Sequence, residues 1–267
     1  MRIRKDTKAS FCYDEDMSDS DKKVFLSSCR QLVAALKEGS LGNVEMPEDT
    51  NPGFAKSQRE ERLSYFTLPM ALNYQRNSYA LWESALKSWR DEATKGIFDV
   101  ASVAGMHEDE LREKLMRHKV ALQPNKHVST WSTIGTTVAT NWGSISELID
   151  VADSDYLKLR DILQGTHKKG FPYLSGPKIF NYWSFIISTY GGVSLKNRAY
   201  IEIALDTHVT KGSILLGVVS QLESEKLPKE TIAARWRELL AGSGIDPIDM
   251  HSPLWFWSKN NFSYSLH

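Results

Sequence analysis

The chain of 267 residues carries 33 Lys plus Arg against 33 Asp plus Glu, a formal net charge of zero, and only two cysteines. Zero net charge excludes a binder working by bulk charge, though not a local basic face, because affinity for nucleic acid follows the phosphates neutralised at the contact. Cys12 and Cys29 do not form a CxxC pair and cannot supply a disulfide framework, a four-cysteine zinc site or a cysteine-held iron–sulfur cluster.

The opening residues, "MRIRKDTKASFCYDEDMSDSDKK", lack the apolar core of a signal peptide, and no window approaches a membrane span. The expectation is therefore an intracellular protein, cytoplasmic or nucleoid-associated, with no membrane partner. Helical periodicity then dominates. In "DSDKKVFLSSCRQLVAALKE" (19–38), Val24, Phe25, Cys29, Leu32, Val33 and Leu36 fall on one stripe, and Gly39 is a stop signal. Residues 40–60 carry two prolines, several turn dipeptides and no period, which reads as a linker or surface loop. Residues 62–90 predict two helices broken near Pro69 or Asn73.

"HEDELREKLMRHKVA" (107–121) predicts an amphipathic helix, and "PNKHVSTWSTIGTTVATNWGS" (124–144) a further one with a glycine stop. "DSDYLKLRDILQGTHKKG" (153–170) predicts a short helix, with Asp153 or Ser154 as N-cap and Gly165 near its end. Later helices are expected over 176–189, 206–219, 228–241 and in "DPIDMHSPLWFW". The only strand-like runs, such as "AYIEIAL" (199–205), are short. The fold class is all-α.

In "LQGTHKKGFPYLSGPKIFNYW" a helix ends at a glycine, a turn follows, and a second helix starts near Gly176. Amides at a glycine-containing turn and a helix N-terminus suit an anionic oxygen, and Gly176, without a Cβ, admits a phosphate closely. Alone, the pattern reads more readily as a helix–turn–helix corner with no ligand. Further on, Asp206 opens the amphipathic helix of "IEIALDTHVTKGSILLGVV" as a capping residue whose carboxylate the cap would hold in one orientation, and His208 falls in its first turn.

Together these stretches resemble the helix–hairpin–helix DNA glycosylase superfamily of endonuclease III and the 8-oxoguanine glycosylases. Its pattern is L-P-G-V-G-x-K, a helix, then V-D-T-H-V; here the residues read "PYLSGPK" and "LDTHV", matching at Gly176, Lys178, Asp206, Thr207, His208 and Val209. Leu174 replaces the first hairpin glycine, and the 28-residue step from Lys178 to Asp206 (206 − 178) is longer than in the family. Upstream, "MALNYQRNSYALW" is similar to the segment that carries a gap-filling glutamine or asparagine, which places Gln75 beside the orphaned base.

The resemblance implies two helical lobes with a DNA-binding cleft between them. Residues 61–205 would form a bundle ending in the hairpin; residues 1–60 would pack with 206–267 as a discontinuous lobe, with Asp206 at the seam. The implied activity is excision of a damaged or modified base, oxidised as a first expectation, from double-stranded DNA that presents it flipped out. Ser175 and Gly176 would grip phosphate, with Gln75 and His208 also touching DNA; Lys168 and Lys169 fit the same role. Asp206 would stabilise the charged sugar, and Lys178, its pKa lowered by burial, would attack C1′ and pass through a Schiff base to strand cleavage. Tyr182, four residues after Lys178 on the same face, and the terminal Trp255 and Trp257 are candidate walls of the base pocket. No metal or other cofactor is called for, and the protein is expected to be a monomer. A monofunctional glycosylase using water and a non-catalytic DNA-binding module, with Asp206 only a cap, remain as alternatives.

Overall fold

The computed structural model describes residues 18–42 and 45–267, so Cys12 and the N-terminal segment lie outside the described residues. Every regular element among them is helical; the single extended pairing is an isolated bridge between Asp155 and Lys196. The all-α expectation holds. The described residues divide into two compact units, one of residues 18–42 with 202–267, the other of residues 45–201.

The first helix, α1 (Asp19–Lys37), starts at Ser18, whose hydroxyl accepts from the Asp21 amide at 3.2 Å, and stops before Gly39, left-handed at φ 72°. It buries Phe25, Cys29, Leu32 and Ala35, whereas Val24, assigned to the apolar stripe by spacing, is 50% exposed. At about 100° per residue, Val24 falls off the edge of the buried face.

The unit of residues 45–201 holds α2 (Arg59–Leu72), α3 (Ser78–Arg90), α4 (Val100–Gly105), α5 (Glu108–Arg117), α6 (Lys126–Asn141), α7 (Ile145–Val151), α8 (Tyr156–Arg160) and α9 (Pro177–Thr189). Its centre is α2, buried continuously from Leu63 to Leu72, as a helix apolar on all sides must be. It packs against α6, α7 and α9. That packing carries the helix through Pro69, although an interior proline costs about 3 kcal/mol, and the break falls at Asn73 instead. The buried polar groups between α2 and α9 are matched: Trp183 Nε1 donates to Thr67 Oγ1 at 3.0 Å, and Thr67 donates to Leu63 O at 2.7 Å.

Two expectations fail in this unit. Asp155, not Asp153 or Ser154, caps α8: its Oδ1 accepts from the Leu157 amide at 2.8 Å and its Oδ2 from Asn197 Nδ2 at 2.7 Å. Asp153 and Ser154 instead turn the chain in left-handed conformations, at φ 59° and 48°. Beyond α8 the backbone widens into a π-turn, Asp161–Thr166, then tightens into a 3-10 turn, Lys168–Gly170.

The second failure is the "linker". Pro47–Asp49 form a 3-10 turn in which Pro47 and Glu48 are buried. Tyrosine hydroxyls tie this strap down: Tyr79 donates to Glu45 O at 2.9 Å, Tyr65 to Thr50 O at 3.1 Å, and Tyr190 to Asp49 Oδ1 at 3.0 Å. Turn-rich composition described the local backbone correctly but carried no information about partners so distant in the chain.

In the other unit, α1 joins α10 (Thr207–Leu215), α11 (Gln221–Lys226), α12 (Lys229–Leu240) and α13 (His251–Lys259). The helix expected over 206–219 ends early, because Gly217 is left-handed at φ 75°. Gly212 lets α10 lie close on α13: a Cβ there would sit 2.8 Å from Leu254 Cδ2. Trp236 closes the core, donating to Ser213 Oγ at 3.0 Å and meeting Phe25 at a ring separation of 5.6 Å. "AYIEIAL" forms no strand; a 3-10 turn at Arg198–Tyr200 leads into a run without regular structure before α10.

Candidate functional site

The turn between the π-turn and α9 is built by short-range backbone bonds. Leu174 N donates to Pro172 O at 2.8 Å, Ser175 N to Phe171 O at 2.9 Å and Gly176 N to Tyr173 O at 2.9 Å. The left-handed residue is Tyr173, at φ 61°, and not Leu174, whose side chain is buried and anchors the turn. Loss of the family's first glycine therefore forces no strain at position 174. Gly176 sits at φ −65°, a conformation open to any residue, but its Cβ would lie 3.1 Å from Tyr173 O, so closeness is what favours glycine there.

Gly176 is the N-cap of α9, Pro177 its first residue and Lys178 its second; no side chain caps this end. First-turn amides of such a helix carry the positive end of the helix dipole. Lys178 is exposed, not sunk in an apolar pocket, which corrects the burial expected of an amine nucleophile.

Gln75 is exposed and left-handed at φ 49°, held there by its neighbours. Asn73 and Ser78 bond reciprocally at 3.1 and 3.2 Å, Asn77 caps α3 at the Ala80 amide, and the Arg76 guanidinium donates to the carbonyls of Lys119 and Val120. Tyr74 packs against Tyr173, the rings tilted by 39° with centroids 5.1 Å apart, and Lys126 Nζ lies 4.8 Å from each ring. The structure thus brings the Gln75 loop against the turn carrying Ser175 and Gly176. Neither Tyr74 nor Lys126 was singled out by sequence reasoning, although Tyr74 adjoins Gln75. Beneath them, His127 Nδ1 accepts from the Leu122 amide at 3.1 Å, and burial pushes the imidazole pKa down.

Tyr182 follows Lys178 by one turn of α9. Its hydroxyl pKa is pushed well up by burial and then by the Glu48 carboxylate. Glu48 is 1% exposed, and burial raises its carboxyl to about 7, against the opposing pull of its own backbone amide and of the Tyr182 and Trp82 side chains. Although those groups lie close enough to act on its charge, neither Glu48 oxygen makes a formed hydrogen bond, and the Trp82 indole N–H also lacks a partner. No sequence signal pointed to Glu48.

In the second unit, Asp206 caps α10, with Oδ1 accepting from the Val209 amide at 2.9 Å. His208 Nδ1 lies 3.0 Å from Ser258 Oγ, and its ring meets Trp255 edge-on at 5.3 Å. Lys259 Nζ lies 4.5 Å from the Trp255 ring, which is only partly buried. Trp257 is 6% exposed; its N–H donates to Tyr264 O at 2.9 Å and its ring packs on Phe262, so it closes the C-terminal segment. Lys178 and Asp206 belong to different units.

Among the described residues no cluster of three or more His, Cys, Asp or Glu side chains is arranged to hold a metal ion, and no helix is long and apolar enough to cross a membrane. No protein-family model matches the chain, and no curated protein matches it.

Proposed function

We propose that this chain is a DNA N-glycosylase that excises a damaged or modified base, with strand cleavage through a lysine Schiff base. It acts inside the cell, as a monomer, on double-stranded DNA with the target base flipped out. The observation that carries the reading is the tilted ring contact of Tyr74 with Tyr173, which sets the Gln75 loop beside an uncapped, glycine-led helix start bearing Lys178. One surface of one unit then offers amides and cations for phosphate and a side chain for the duplex gap.

In this mechanism Lys178 Nζ, once deprotonated, forms a bond to C1′ while the C1′–N bond breaks and the base departs with the electron pair and a proton. The Asp206 carboxylate, fixed by its bond to the Val209 amide, stabilises positive charge on the sugar. The sugar ring opens to a Schiff base, and loss of a C2′ proton expels the 3′ phosphate by β-elimination.

Exposure of Lys178 favours one second reading, a monofunctional enzyme in which water attacks and the lysine touches phosphate. Borohydride trapping on duplexes containing an abasic site separates the two. A covalent adduct that disappears in Lys178→Ala supports the lyase. Base release that survives Lys178→Gln supports the water mechanism. No release from a panel of single-lesion duplexes, with binding indifferent to Asp206→Asn, leaves a non-catalytic DNA-binding module.

A further inference from the structure

Three buried helical serines of this chain turn their hydroxyls back onto the preceding turn. Ser84 donates to Ala80 O at 2.7 Å, Ser184 to Phe180 O at 2.9 Å and Ser213 to Val209 O at 2.8 Å. That is the local bond open to any serine inside a helix. Ser258 in α13 does otherwise: its hydroxyl lies 3.0 Å from Nδ1 of His208 on α10, 50 positions away in the chain. The close approach of the two helices at Gly212, where a Cβ would sit 2.8 Å from Leu254 Cδ2, brings these side chains within reach.

The direction of this bond follows from what is left for the hydroxyl proton. Ser258 is 6% exposed, and its hydroxyl has no second partner among the described residues. A buried O–H without an acceptor is costly, so it donates to Nδ1. In a neutral imidazole one ring nitrogen accepts and the other carries the proton, which therefore sits on Nε2. Nε2 makes no bond among the described residues and is not enclosed. Trp255, three residues before Ser258, meets the imidazole edge-on at 5.3 Å and fixes its tilt. Two charged groups frame the pair: Asp206, two residues earlier on the α10 side, and Lys259 on α13, whose Nζ lies 4.5 Å from the Trp255 ring.

We propose that Ser258 is a positioning residue that fixes His208 as a neutral Nε2–H donor to a phosphate oxygen of bound DNA. This rests on the glycosylase reading and deepens it, because the donor ties the DNA backbone next to the Asp206 carboxylate. A donor that needs no positive charge keeps its contact as pH rises beyond the imidazole range.

The test joins spectroscopy to binding, both on the full chain at about pH 8.5, above the ordinary imidazole range. Long-range 1H–15N spectra, with His208 assigned by its absence in His208→Gln, should show the proton on Nε2. The Nδ1 signal should shift in Ser258→Ala and return in Ser258→Thr, which keeps the hydroxyl. By fluorescence anisotropy on an abasic-site duplex, His208→Ala should bind about 30-fold and Ser258→Ala about 10-fold more weakly than the wild type. In the His208→Ala background Ser258→Ala should cost nothing further, a coupling that a merely structural serine would not show. The wild-type spectrum decides the tautomer even if a Ser258 variant does not fold. A proton on Nδ1, a His208→Ala loss that vanishes at this pH, an undiminished Ser258→Ala loss in the double variant, or no duplex binding overturns the proposal. Absence of base release and of borohydride trapping in the wild type, with the coupling intact, sinks the glycosylase reading and leaves the Ser258–His208 contact standing.

Discussion

The Tyr74 and Tyr173 rings meet at a tilt of 39° with centroids 5.1 Å apart, so two residues distant in the chain hold the Gln75 loop to the turn before α9. The Lys126 ammonium, 4.8 Å from both rings, makes no ion pair among the described residues. A cation with no anion among the described residues, on a partly exposed aromatic pair, suits the proposed phosphate contact. Lys126→Ala is expected to weaken DNA binding similarly for all sequences and to lower the salt slope of log affinity by about 1. Tyr74→Ala should cost about 1–3 kcal/mol on substrates with an unpaired base, through lost stacking, and less on intact duplex. Fluorescence anisotropy over a salt series measures both, and an unaltered slope in Lys126→Ala rules out its phosphate contact.

Gly176→Ala separates packing from ligand approach. Alanine accepts φ −65°, and its Cβ would need Tyr173 O, 3.1 Å away, to give by a few tenths of an ångström. Stability should change by less than about 1 kcal/mol. On the proposed function DNA affinity should fall by about 10-fold, because a methyl group would then stand where the proposed phosphate contact lies. Thermal unfolding beside anisotropy decides; a large fall in melting temperature with unchanged binding assigns the glycine to packing alone.

Asp206 carries a structural role that any test of catalysis must separate out. Asparagine caps a helix about as well as aspartate, whereas alanine costs about 1 kcal/mol. Asp206→Asn should therefore melt with the wild type and Asp206→Ala slightly below it, while both lose base release by at least about 100-fold. Single-turnover release by Asp206→Asn at the wild-type rate removes the carboxylate from the chemistry and leaves it a cap.

How far the sequence spoke depended on distance along the chain. Helix starts and stops governed by neighbours were readable: Gly39 ends α1 and Asp206 caps α10 as spacing and residue type required. Where tertiary contacts outweigh local preference, reading failed. Of the two break points expected, Asn73 ends α2 while Pro69 lies inside its buried stretch, and Asp155 displaces Asp153 as a cap because Asn197, more than forty residues on, takes its second oxygen. The motif "SGPK" marked the α9 start, yet nothing in the residue pattern pointed to Tyr74, Lys126 or Glu48 as its companions. Their association depends on folded geometry.

Glu48 makes the stability of its unit depend on pH in a direction opposite to most carboxylates. Its folded pKa, about 7, lies above the ordinary value of 4.5, so the folded state binds the proton more readily than the unfolded one. Stability is full below about 4.5, falls as pH rises towards 7 by at most about 1.4 kcal/mol per unit, and is lowest above that. His127, whose pKa is pushed down by burial, works the other way, since its unfolded form takes up the proton first as pH falls. Comparison of wild type with Glu48→Gln cancels that contribution. Glutamine cannot ionise, so the variant should match the wild type near pH 5 and exceed it by about a few kcal/mol near pH 8. Urea unfolding at a series of pH values between these limits measures the difference. A constant gap across the series would mean that Glu48 does not gain its proton on folding.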